Sequence, residues 1–349
     1  MPAIEPTPGI YLDRDYPPEG VHSAEIITTT RAAVRAKLAA IRYQVGTLRP
    51  VRDLLAGDVP IERVDELLRS GVTGYSELKR RPAELLGASI GDSLMAADIA
   101  PSDVDAVILV TESFAQLFGN DQPSGEMFRN VRNQSFDFLN ELGIDKASVY
   151  CTSYGGCTNL LHATLLAQVL VERGLSKNVL LIAAEMFSSS RARLMDEAIS
   201  ISGDGIASCL ITSTATSGSG AFGLRHISIA PYQKLSPEAD MPRVVLKMYQ
   251  AMKKVASDSY DTCGLRQQDF RWLVLGDYNP LTSTTFGKLL GFSPERIFME
   301  NVGKMGHIPF DPLIGLQTLH EQNKVNTGDL ILIFVCGPVS CGSIVVEYV

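Results

Sequence analysis

The chain has 349 residues, 45% of them apolar, enough for one large domain or two fused ones with buried cores, which excludes an intrinsically disordered chain. A formal net charge of -8, with no basic run beyond Lys79, Arg80 and Arg81, argues against nucleic acid or an anionic membrane surface as partner. No basic flank leads into an apolar core near the start and no long uncharged apolar stretch follows, so a cytoplasmic protein acting on small molecules is expected.

In chain order, the first fifty residues are polar and read as an addition without counterpart elsewhere. After Pro101-Ser102-Asp103, the apolar run 104–110 predicts a buried strand. The stretch 118–143 predicts a helical insertion, because Phe128, Val131, Phe136, Phe138, Leu139 and Leu142 recur mostly at helical spacing before Gly143. A strand over 147–150 then leads through Gly155 and Gly156 into a helix over 160–172 and a strand over 179–183. The same order of parts returns later. Gln267-Gln268-Asp269 leads into a strand over 270–275, Pro312 opens a helical pattern with Leu313, Leu316 and Leu319, and the turn 326–329 delivers a strand over 330–335. Two similar portions, divided as 1–215 and 216–349, predict a duplicated α/β architecture of packed layers.

The six cysteines, Cys151, Cys157, Cys209, Cys263, Cys336 and Cys341, form no CxxC pair and have no His at zinc spacing, so reduced, buried thiols are expected and no metal. Cys157 stands apart. It follows two glycines at a strand-turn-helix elbow, where the backbone can turn sharply and the positive end of a helix favours a thiolate. Glycine-rich loops elsewhere lack the GxGxxG order, and no bound cofactor is expected.

From Cys157, the run CTNLLHATLLAQVLVERGLSKNVLLIAAE resembles the nucleophile helix and following strand of ketoacyl synthase III. Ser202-Gly203-Asp204-Gly205-Ile206-Ala207 is similar to that family's GDGAGA segment, and Cys336-Gly337-Pro338-Val339-Ser340-Cys341-Gly342-Ser343 to its C-terminal glycine-rich loop. The resemblance implies a thiolase-like duplicated α/β/α/β/α fold and a homodimer, with Cys157 as nucleophile. It also implies an oxyanion hole from the backbone of Cys157 and Gly337, although Pro338 stands where the family usually has another Gly.

The family's Cys-His-Asn triad is incomplete here. Leu273-Val274-Leu275-Gly276-Asp277-Tyr278-Asn279 puts Gly276 at the His position, and Gly303-Lys304-Met305-Gly306-His307-Ile308-Pro309 puts Lys304 at the Asn position. Decarboxylative condensation needs donors that stabilise an enolate, and Gly276 offers only a backbone amide. Asp277 and His307 arrive on the same loops, so a Cys157-His307-Asp277 triad is expected, with His307 as base and Asp277 orienting it. This resembles the ketosynthase III-like acyltransferases of natural-product pathways. It implies transfer from an acyl carrier protein or coenzyme A thioester, through Cys157, to a hydroxyl or amine of a small acceptor. The alternatives are a carbon-carbon condensing enzyme with a degenerate triad, and a non-catalytic partner subunit of such a synthase.

Overall fold

The apolar runs become neighbouring strands of one ten-stranded mixed sheet. A computed structural model describes residues 36–57, 59–118, 124–195, 198–213, 220–232 and 241–349, all within the unit Val34–Val349. Strand β1 (Lys37–Val45) precedes the separate antiparallel pair β2 (Thr47–Pro50) and β3 (Gly74–Glu77), between which lies helix α1 (Ile61–Arg69). Then follow α2 (Pro82–Ala97), β4 (Ala106–Val110), α3 (Phe114–Leu117), α4 (Ser124–Glu141), β5 (Ser148–Thr152), α5 (Asn159–Glu172), β6 (Asn178–Glu185) and β7 (Gly205–Thr212). The later portion contains β8 (Phe222–Pro231), α6 (Met241–Cys263), β9 (Phe270–Leu275), α7 (Pro280–Leu289), β10 (Ile297–Phe298), α8 (Asp311–Glu321), β11 (Leu330–Cys336) and β12 (Ser340–Tyr348).

Duplication is written in the strand order. Read from one edge, β5-β4-β6-β7-β1 meets β8-β12-β11-β9-β10, so the two portions run the same sequence of strands in opposite directions from a shared centre. Pairing senses match too: β4 is parallel to β5 and β6, as β9 is to β10 and β11, and the remaining neighbours in both portions are antiparallel. Helices α5 and α8 share one apolar cluster with residues from both sheet portions, whereas α2 packs on β7 and β1, and α6 on β8 and β12. This is the α/β/α/β/α layering. It explains why α8 is buried on all sides from Asp311 to Leu319: a helix between two sheets has no solvent face to leave polar.

Residues 37–45 are not an addition, since β1 sits at the sheet centre and answers β8 of the other portion. Its alternation is broken by a register shift between Ala39 and Arg42, with Ala40 at φ 53°, and this hides a strand from a period-two reading. Residues 1–35 lie outside the described residues. The helical insertion is found as α4, and the expected strand over 147–150 lies one to two residues later as β5. Cysteine chemistry also differs from expectation, because Cys336 and Cys341, directly opposite across β11 and β12, are disulfide-bonded, while Cys151 is exposed on the edge strand. Among the described residues no helix is long and apolar enough to cross a membrane.

Candidate active site

Cys157 lies in the 3-10 turn Gly156–Thr158 that joins β5 to α5, two residues before the first helical residue Asn159. Gly156 has φ 58°, a conformation that costs glycine nothing, and a side chain there would strike Pro338. Two polar residues tie the turn down. Thr158 Oγ1 donates to Gly155 O at 2.7 Å and lies 2.7 Å from Ser340 Oγ, while Asn159 Oδ1 accepts from Gly155 N at 2.8 Å. The Cys157 elbow is thus held by contacts from both portions of the fold.

The glycine-rich loop approaches the elbow closely: a Cβ at Gly337 would come within 3.2 Å of Cys157 N. Its amide, however, donates to Ser340 O at 2.9 Å across the β11–β12 turn, so Gly337 does not present the free N–H expected of it. The hairpin consumes that donor. Glycine is required there for the approach of two backbones. Tyr232 Oη donates to Gly337 O from the β8 side, fixing the loop.

His307 comes from the loop between β10 and α8, with 3% of its surface exposed. Its backbone is clamped to the SGDG segment of the other portion, where its N donates to Ile201 O at 2.6 Å and its O accepts from Gly203 N at 2.9 Å. That is why two loops far apart in sequence meet at one place. Nδ1 lies 2.6 Å from Asp311 Oδ2, which assigns the Nδ1–H tautomer from the hydrogen-bond network and turns Nε2 the other way. Nε2 has no partner within hydrogen-bond geometry. Burial opposes a charge on His307, but Cys157 and Asp311 together outweigh it and hold its pKa well above the ordinary imidazole value. With Nδ1 committed to Asp311 and Nε2 unpaired, the ring is still acted on by Cys157.

Asp277 is not the residue on the imidazole. Its Oδ1 accepts from Gly303 N at 2.8 Å, its Oδ2 has no partner, and only its backbone N reaches the pair, donating to Asp311 Oδ2 at 2.7 Å. Burial, then the neighbouring Asp311, push the Asp277 carboxyl well above its ordinary range. Asp311 takes the orienting place instead: its Oδ2 accepts from His307 Nδ1 and Asp277 N, and its Oδ1 from Ile308 N at 2.9 Å. The residue was visible in sequence as the acid four places after His307 and just before Pro312. It reads there as an ordinary first-turn carboxylate.

Gly276, at the position where a family His would stand, has no room for one. A Cβ there would lie 3.0 Å from Tyr278 Cζ and 3.2 Å from His307 Cε1. The Tyr278 ring stacks on His307, with centroids 5.5 Å apart, and its hydroxyl donates to Cys336 O at 2.8 Å and accepts from Cys336 N at 2.9 Å. Imidazole and phenol together fill the missing side chain's space. Lys304 bonds Glu300 O at 2.7 Å on the exposed loop and takes no part. His320 is likewise engaged elsewhere, 2.8 Å from Tyr348 Oη, while His162 lies half-buried beside Gly155.

Sequence reasoning also passed over Glu112, two residues beyond the end of β4. Its carboxyl accepts from Asn159 Nδ2 at 3.1 Å and lies against Gly156, and its backbone N donates to Glu185 Oε1 at 2.8 Å. Glu185 is buried beneath it, with Ser113 Oγ donating to Oε2 at 2.5 Å, and burial pushes its pKa up to about 8.

No family model matches the chain. In sequence it is similar to β-ketoacyl-[acyl-carrier-protein] synthase III of Helicobacter hepaticus, 24% identical over 292 residues that cover 77% of this chain and 84% of that one. Its fold is that of the acyltransferase ChlB3, at a TM-score of 0.75 and 15% identity, covering 90% of this chain and 98% of that one. It matches 3-oxoacyl-[acyl-carrier-protein] synthase III of Aquifex aeolicus at a TM-score of 0.67 and 17% identity, covering 90% of this chain and all of that one. The chain is ketoacyl synthase III-like, and the fold is thiolase-like.

Proposed function

We propose that this protein is an acyltransferase. It loads an acyl group from an acyl carrier protein or coenzyme A thioester onto Cys157 and passes it to a hydroxyl or amine of a small-molecule acceptor. One observation carries the reading: a buried imidazole, fixed at Nδ1 by Asp311, keeps Nε2 unpaired and has Cys157 among the groups that raise its pKa. Such a ring is a base. It takes the thiol proton as Sγ attacks the donor carbonyl and returns it to the leaving thiol, then takes the proton of the acceptor O–H or N–H as that group attacks the acyl-cysteine. Asp311 fixes the tautomer and stabilises the cation, as the orienting acid does in other nucleophile-base pairs. Condensation needs donors aimed at an enolate, and Gly276 supplies no side chain for that.

The name of the fold neighbour ChlB3 supports transfer, whereas the sequence relatives, named as synthases, favour the second reading of a condensing enzyme. Part of the same proposal is a cytoplasmic homodimer, supported by the open edge of β5, where Tyr150 and Cys151 face solvent. Light scattering at the mass of a single chain would remove that part.

Intact-protein mass spectrometry of wild type and Cys157→Ala after incubation with acyl thioesters tests the main reading. A mass gain in wild type alone, discharged by a small alcohol or amine, is the expected result. Release of carbon dioxide from labelled malonyl thioester, coupled to a new carbon-carbon bond, would establish condensation instead.

A further inference from the structure

Glu112 is built into the elbow rather than hanging near it. Its backbone is held by Glu185 and its carboxyl by Asn159 Nδ2 and the backbone of Gly156, the residue before the nucleophile. Partial burial, its largest influence, pushes the Glu112 pKa up, and the Asn159, Gly156 and His307 groups push it back down. The side chain nonetheless keeps solvent access, whereas His307 is enclosed. A solvent-accessible carboxylate is therefore fixed against Gly156, the residue before Cys157.

Among the described residues, His307 is the cation that acts on that charge. His307 is committed to Asp311, and Arg193 to Asp204 through bonds of 2.6 and 2.7 Å. The acids buried around the elbow, Glu185, Asp277 and Asp311, offer no cation to pair with it either. An acyl group carrying its own carboxylate would bring like charge to within a few bonds of Glu112 as it reached Sγ.

We propose that Glu112 sets the charge selectivity of acyl loading: it disfavours acyl groups that carry a carboxylate, malonyl among them, and admits neutral or ammonium-bearing ones. This rests on the acyl-cysteine reading above. In the loading step the Sγ–acyl bond forms, the donor C–S bond breaks, and the thiol proton held by His307 goes to the leaving thiol; Glu112 takes no part in these bonds.

The test uses N-acetylcysteamine thioesters in pairs of matched size: malonyl against 3-methylbutanoyl, and 3-aminopropanoyl against butanoyl. Initial rates of Cys157 loading are read by intact mass on the wild-type protein and on Glu112→Gln, whose fold is checked by thermal melting. Malonyl is expected to load at least about tenfold more slowly than 3-methylbutanoyl on wild type, with 3-aminopropanoyl no slower than butanoyl, and Glu112→Gln should bring the first ratio within about threefold. High salt gives a second measurement on unaltered protein. Glu112 is solvent-accessible and the screening length falls to about 3 Å at 1 M, so the malonyl penalty should shrink there. Equal loading of malonyl and 3-methylbutanoyl by wild type, or a ratio that neither Glu112→Gln nor salt changes, overturns the assignment while leaving acyl transfer intact. Loading by no donor at all overturns both.

Discussion

Replacing Asp311 by Asn leaves a side chain of the same shape where the geometry demands a carboxylate. Oδ2 accepts from His307 Nδ1 at 2.6 Å and from Asp277 N at 2.7 Å, and Oδ1 accepts from Ile308 N at 2.9 Å. Whichever way an amide is turned, its NH2 faces a donor. The charge that offsets burial of the imidazolium is lost as well. A hydrogen bond to a charged group contributes about 1.5–3 kcal/mol, so the transfer rate should fall roughly ten- to hundredfold. His307 would also lose one of the two groups that raise its pKa against burial. Transfer requires the neutral imidazole, so the rising acidic limb of the rate profile should move to lower pH even as its plateau drops. Steady-state transfer measured across pH on wild type, Asp311→Asn and Asp277→Asn separates the two acids. Asp277→Asn should cost less than about fivefold, because that carboxyl bonds the Gly303 amide and not the ring. Equal losses in both variants, or an unmoved pH limb in Asp311→Asn, would refute the assignment of Asp311 to His307.

Restoring a family-like His by Gly276→His should lower the melting midpoint and leave condensation absent, since its Cβ alone would lie 3.0 Å from Tyr278 and 3.2 Å from His307; a variant as stable as wild type would show that the pocket yields. Glu185 predicts a pH dependence of stability. Its pKa rises from 4.5 to about 8 through burial, so the folded state binds its proton more tightly than the unfolded chain. Stability from this group is full below about pH 4.5 and is lost as pH rises toward 8, at up to roughly 1.4 kcal/mol per pH unit. Glu185→Gln should flatten the unfolding free energy between pH 5 and 8 in denaturant titrations, and an unchanged slope would contradict the buried neutral acid.

Local patterns carried much of this protein. Buried strands announce themselves as apolar runs, so β4, β6, β9 and β11 were legible, as was their repetition, and a cysteine after two glycines before a long apolar helix marked the elbow at Cys157. Strand β1 escaped because its bulge at Ala40 breaks the alternation that identifies a strand. The loops bearing His307 and Asp277 could be anticipated from order along the chain, but which acid meets the imidazole could not. Asp277 and Asp311 both come to rest beside His307, and the choice is made by the clamp on the His307 backbone at Ile201 and Gly203 together with the first turn of α8 four residues on. Gly337 shows the same limit: sequence marks a glycine that must approach Cys157, yet only the β11–β12 turn decides that its amide is already spent on Ser340. Burial and chain order are properties a sequence repeats locally, whereas hydrogen-bond partners are fixed by folded geometry, at Gly337 by a turn and at His307 by the packing of segments more than a hundred residues apart.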